Sequence, residues 1–93
     1  MQYVLIVHEV ADYPKWKVAF DQAAEIRKAA GELEYQVLRS RSDANLIVHF
    51  SRWSSLDGAR AFFESKEVEE IRRKAGVKAP TFTYLDQLAA AVL

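Results

Sequence analysis

Apolar and polar positions divide the chain into six successive blocks. Tyr3 to Val7 are all apolar, and His8, Glu9 and Val10 extend the run. Residues 2–10 therefore read as a strand buried on both faces. Asp12 caps a helix with Pro14 in its first turn, where the missing N–H costs nothing. Trp16, Ala19, Phe20, Ala23, Arg27 and Ala30 recur at helical spacing and make one stripe, and Gly31 stops the helix. Residues 33–42 alternate as a second strand, Ser42-Asp43-Ala44-Asn45 is a turn, and Leu46 to Trp53 is a third strand, so the two pair as a hairpin. Ser54 opens a second helix, with Asp57 in capping-box position. Leu56, Ala59, Phe62 and Phe63 supply its apolar face. Ser65 is placed as a fresh cap, followed by a stripe of Val68, Ile71 and Ala75, which predicts a kink or break near Ser65. Gly76 ends this helix. Pro80 precedes a last strand from Thr81 to about Leu88, and the tail stays apolar to Leu93.

The order β-α-β-β-α-β in one 93-residue domain, residues 1–93, is the split-βαβ, ferredoxin-like arrangement of the α+β class. Right-handed crossovers put both helices on one face of a four-stranded antiparallel sheet, with strands one and three at its centre. Those strands are apolar on both faces, and a bare apolar sheet face is not tolerated on a soluble monomer. The expected cover is the same face of a second copy, giving a homodimer through the open sheet face. The tail beyond Leu88 is too short to cover four strands itself and could reach across that interface.

Composition narrows the function. Thirteen basic and thirteen acidic side chains cancel, which argues against a nucleic-acid partner. No cysteine is present, so there is neither disulfide nor thiolate chemistry. The N-terminal run lacks the marks of a signal peptide, and no apolar stretch reaches the ~20 residues of a membrane span. A cytoplasmic location without membrane association is the expectation. There is no glycine-rich phosphate loop, no HExxH, no CxxC and no nucleophile elbow. No metal and no cofactor is called for.

The run Val7-His8-Glu9-Val10-Ala11-Asp12-Tyr13 with Trp16 and Phe20, Trp53 closing strand three, then Ala59-Arg60-Ala61-Phe62 and Ala75-Gly76-Val77, resembles the dimeric α/β-barrel superfamily. More narrowly, it resembles the small antibiotic-biosynthesis-monooxygenase-like and cyclase-like members, over essentially the whole chain. The resemblance implies a dimeric α+β barrel with a pocket between sheet and helices in each subunit. The activities it brings are cofactor-independent oxygenation of phenolic polyketides, haem degradation, cyclisation and isomerisation. In the haem-degrading branch an Asn near the end of strand one, a Trp ending strand three and a His on the second helix line the site. His8 and Trp53 stand near the first two positions. The second helix has no histidine, which argues against haem.

His8 and His49 are the only histidines, on strands that should be adjacent. Period-2 counting places His49, Ser51 and Trp53 on one face, and the resemblance turns that face toward the pocket. A pair of imidazoles there could relay a proton at neutral pH; the plainer reading is a buried hydrogen-bonded polar residue, preferred for His49. His8 is the candidate catalytic base. Trp53 is the leading candidate for an aromatic pocket wall, with Tyr84 and Tyr13 behind it. Trp16 and Phe20 are assigned to packing. Arg27 falls on an apolar stripe, where it either snorkels outward or meets an acid such as Asp57 or a ligand anion. Arg39 and Arg41 are read as charges on one face of an edge strand, and Lys66 to Lys74 as a solvated helix face. The leading expectation is a small-molecule-binding dimeric barrel protein that carries out cofactor-free oxygenation, or cyclisation or isomerisation, of an aromatic or polyketide-like compound. Its rival is a non-catalytic dimer that binds a metabolite or another protein.

Overall fold

The computed structural model describes residues 1–93. The elements run β1 (Gln2–Val10), α1 (Tyr13–Gln22), α2 (Ala24–Ala30), β2 (Glu32–Arg39), β3 (Leu46–Trp53), α3 (Leu56–Phe63), α4 (Lys66–Lys74) and β4 (Val77–Asp86). The strands form one antiparallel sheet in the order β2-β3-β1-β4. This is the ferredoxin-like α+β arrangement, with β1 and β3 at the centre. No helix is long and apolar enough to cross a membrane.

Both central strands alternate strictly. Val4, Ile6, His8 and Val10 on β1, and Ile47, His49, Ser51 and Trp53 on β3, are buried against the helices. Their other faces carry Tyr3, Leu5 and Val7, and Leu46, Val48 and Phe50, all part-exposed. Tyr3 and Phe50 stack on this open face with ring centroids 5.0 Å apart. Burying a side chain such as Ile47 stabilises the fold by about 1.5–3 kcal/mol; the open face forgoes that gain.

Several boundaries differ from the sequence expectation, each for a local reason. The first helix breaks at Ala23, whose N–H is shared between the carbonyls of Ala19 and Phe20. The break leaves the Phe20 carbonyl available to the Arg27 guanidinium, which donates to it. The cap of α3 is Ser55 rather than Ser54: its hydroxyl accepts from the Gly58 N–H at 3.1 Å, and Asp57 lies in the first turn as a dipole-compatible acid. Ser65 caps α4 as expected, accepting from the Val68 N–H.

The second strand begins at Glu32 and ends at Arg39, so Arg41 lies in the following bend and shares no strand face with Arg39. The fourth strand begins four residues before Thr81 and takes Pro80 into its length. Pro80 is tolerated because β4 is an edge strand with a register shift opposite Val7 and Glu9, beside Ala79 at φ 48°. Beyond Asp86 the chain has no regular structure, and Leu88, Val92 and Leu93 are fully exposed.

Candidate functional site

Two hydrophobic cores lie between sheet and helices. One gathers Val4, Ile6, Trp53, Ala59, Phe63 and Val68; the other gathers Val10, Trp16, Phe20, Ile47 and Ala75. A cavity of about 70 Å³ separates them, walled chiefly by Trp16, Phe20, Phe63 and Ile71. His8, His49, Arg27 and Arg72 are its polar members.

His8 occupies the cavity floor, 5% exposed, with its ring 5.3 Å from that of Trp16. Neither Nδ1 nor Nε2 has a hydrogen-bond partner. Burial, with the nearby positive charges of His49 and Arg72, pushes its pKa down to about 4. At neutral pH it is an uncharged imidazole with one donor and one acceptor unused.

His49 differs in every respect except its burial. Its Nε2 lies 2.8 Å from Glu32 Oε2, while Arg27 Nε donates to Glu32 Oε1 at 2.8 Å. The three side chains form a buried hydrogen-bonded chain in which Glu32 joins β2 to both β3 and α2. Burial pushes the Glu32 carboxyl up, but the hydrogen bonds from His49 and Arg27 outweigh it and hold the carboxyl below its ordinary range. Arg27 therefore neither snorkels outward nor meets Asp57: its acid is Glu32. Its guanidinium also stacks on Phe20, 3.7 Å from the ring centroid.

The structure brings His8, His49 and Arg27 to one cavity and places the aromatic candidates elsewhere. Trp53 is 2% exposed and packs on Phe62 and Phe63, and its Nε1 donates to Ser51 Oγ at 2.7 Å. Tyr84 sits on the edge strand under the Arg60 guanidinium, 4.4 Å from it. Tyr13 leans on Trp16 beneath Arg39, at the outer end of the second core. Trp16 and Phe20, assigned to packing, do pack, and also wall the cavity.

Arg72 and Glu32 were the polar residues missed. Arg72 stands four residues after Val68 and three before Ala75, on the stripe that buries α4, so its spacing carried a signal that the surrounding charges masked. Glu32 pairs with Trp53 across the sheet and so shares its buried face. No three acidic or imidazole side chains converge as a metal-binding set.

Sequence comparison now decides the family. The model of the antibiotic biosynthesis monooxygenase family matches residues 14–74. The chain belongs to that family. Among solved structures, SnoaB, a cofactor-independent oxygenase from Streptomyces nogalater, is 14% identical and superposes with a TM-score of 0.73 over 96% of this chain and 93% of its own. A Bordetella bronchiseptica protein assigned to the same family is 15% identical, with a TM-score of 0.76 over 95% and 97% of the two chains. Rv0793 from Mycobacterium tuberculosis is 17% identical, with a TM-score of 0.67 over 99% and 100%. At such identities the likeness of this antibiotic-biosynthesis-monooxygenase family member to each establishes the fold. No curated protein matches the chain.

Proposed function

We propose that this family member is a cofactor-independent monooxygenase of a small phenolic compound, with His8 as the proton acceptor. One observation carries the reading: a buried imidazole with both nitrogens unpartnered faces a cavity whose lining is mostly apolar. A native core rarely leaves such a group unsatisfied, because the cost is about 1–3 kcal/mol. A bound hydroxyl would satisfy it. Family membership and the fold shared with SnoaB, itself a cofactor-independent oxygenase, support the same chemistry.

The balance can be written for 1-naphthol. His8 accepts the hydroxyl proton, and the electron-rich ring then forms a C–O bond with dioxygen at the carbon para to the oxygen. Breaking the O–O bond and the C–H bond at that carbon, with His8 returning its proton to the departing oxygen, yields 1,4-naphthoquinone and one water. The substrate supplies all the electrons, and the protein supplies a dry, oriented cavity and a base. The working form is a homodimer that covers the open faces of two sheets, for which Leu5, Val7, Val48 and Phe50 provide the apolar surface.

The test is oxygen uptake with 1-naphthol, with quinone formation followed by absorbance. One dioxygen consumed per quinone formed, lost in His8→Phe while fold and assembly persist, is the expected result. Binding without oxygen uptake would leave a non-catalytic ligand-binding protein.

A further inference from the structure

The cavity has a neighbour on its outer side. Ala19, Ala23, Ile26, Ile71 and Ala75 line both the cavity and a groove between α1–α2 and α4. The helices face each other along this line mostly through alanine methyl groups. Val18 and Ile26, 57% and 37% exposed, turn the groove's apolar lining to solvent. The groove holds about 390 Å³ against about 70 Å³ for the cavity.

The polar lining of the groove is one-sided. It consists of two cations, Lys15 and Lys74, and the amide of Gln22, with no acid among them. Both lysines stand at the same end. The Ala11 N–H donates to the Gly76 carbonyl at 3.1 Å; α1 begins two residues after Ala11, and α4 ends two residues before Gly76. Lys15 has no ion-pair partner. Lys74 comes only within 4.0 Å of Glu70, whose carboxylate already accepts from Arg73 Nε at 2.9 Å. An apolar trough that ends in two little-engaged ammonium groups is complementary to an apolar chain that ends in a carboxylate. Cavity size limits what lies deeper. At about 10–15 Å³ per water, 70 Å³ holds roughly five waters, which displace about 150 Å³ of liquid. That is the bulk of one ring or a fused pair, so a longer substituent has the groove to run along.

We infer that the groove is a specificity subsite for an anionic side chain. The ring of the substrate fills the cavity, and a short alkyl carboxylate on it runs past Val18 and Ile26 to Lys15 and Lys74. The inference rests on the cavity being the ligand site proposed above, and adds to it a substrate class, aryl-alkyl carboxylic acids. Lys15 and Lys74 select the substrate and take no part in its oxidation.

The probes are naphthalene, 4-(1-naphthyl)butanoic acid and the primary amide of that acid, which keeps its shape without its charge. Equilibrium dialysis at low ionic strength gives the three affinities. The acid should bind about five- to tenfold more tightly than the amide. It should also displace naphthalene, and lose its advantage as salt is raised. Lys15→Gln with Lys74→Gln, at two exposed positions, should bring the acid to the affinity of the amide and leave naphthalene and the amide unchanged. Lys15→Glu with Lys74→Glu should reverse the preference. Should the acid bind no better than the amide while naphthalene binds, the subsite is overturned and the cavity keeps its ligand. The subsite is equally overturned if the preference survives the glutamine variant, or if the acid binds without displacing naphthalene, because the carboxylate is then held elsewhere. Should naphthalene itself not bind, the cavity reading falls first and the subsite with it.

Discussion

Glu32 and His49 meet across the β2–β3 pairing at 2.8 Å, and His8, on the neighbouring central strand, meets nothing. Two histidines on one buried sheet face thus have opposite situations. One is held by a carboxylate that is itself held by Arg27. The other keeps its hydrogen-bonding capacity for something the chain does not supply.

Removing the carboxylate should damage the fold rather than the chemistry alone. Glu32→Ala leaves Arg27 and His49 buried without their acid, at a cost of about 3–5 kcal/mol. That is a large part of the stability of a small domain. Replacing all three together, as Arg27→Met, Glu32→Leu and His49→Phe, removes the charges with their desolvation penalty and should recover most of the loss. Urea unfolding followed by circular dichroism distinguishes the two; a Glu32→Ala protein as stable as the parent would show that the triad contributes nothing.

The same carboxyl makes the fold acid-labile. Its pKa is depressed on folding below the ordinary 4.5. Its contribution is therefore complete above about pH 4.5 and is lost as pH falls through the folded value. His8 acts over a higher window. The folded protein keeps it neutral down to about pH 4, whereas the unfolded chain takes up a proton below 6.5. Stability should decline as pH drops from 6.5 toward 4, by up to about 3 kcal/mol from this group. In His8→Phe that part of the pH profile should flatten. At pH 7.5 the variant should be more stable than the parent by about 1 kcal/mol, since an unsatisfied polar group is gone, and it should be inactive. A variant that loses stability across the whole range would mark His8 as a structural residue.

Much of the fold could be read from the chain because its periodicities are strong. The alternation at His49, Ser51 and Trp53 gives the β3 face, which Ile47 extends in the structure, and Ser65 followed by Val68 gives the break between α3 and α4. The errors arose where a tertiary contact competes with a local signal. Pro80 suggests a strand start, but an edge strand with a register shift accommodates it. Ala23 is an ordinary helix residue, and nothing near it in sequence marks a break beside which Arg27 reaches the Phe20 carbonyl. Arg27 was recognised as anomalous, yet its partner Glu32 lies beyond a glycine turn, in a different element. Arg72 was hidden among Glu69, Glu70, Arg73 and Lys74, whose charges look like a solvated face. Its burial follows from which side of α4 meets the sheet.

The open sheet face gives an assembly prediction. Tyr3 and Phe50 stack there beside Leu5 and Val48, with no element of the chain above them. Sedimentation at micromolar concentration should give twice the chain mass. Phe50→Glu, which sets a charge among the apolar side chains of this open face, should give the monomer with its secondary structure intact. A parent protein that sediments as a monomer would refute the dimer.

Gly31 ties the site to the backbone. It ends α2 at φ +118°, its carbonyl accepts the Ser54 N–H at 2.9 Å, and the next residue is Glu32. A Cβ at this position would lie 2.6 Å from Ser54 Oγ. Gly31→Ala therefore meets two penalties: a backbone conformation that costs an L-residue about 1–2 kcal/mol, and a contact that Ser54 must move to relieve. Ser54→Gly in the same chain removes the contact but leaves the conformation, so the double variant should recover only part of the stability. The effect should also reach the cavity, because a shift at residue 31 moves Glu32 and loosens its hold on His49. Thermal melts of the two variants, with the His49 imidazole resonances followed by NMR, test both steps. Full recovery in the double variant would show that the steric contact alone, rather than the backbone angle, selects glycine at this position.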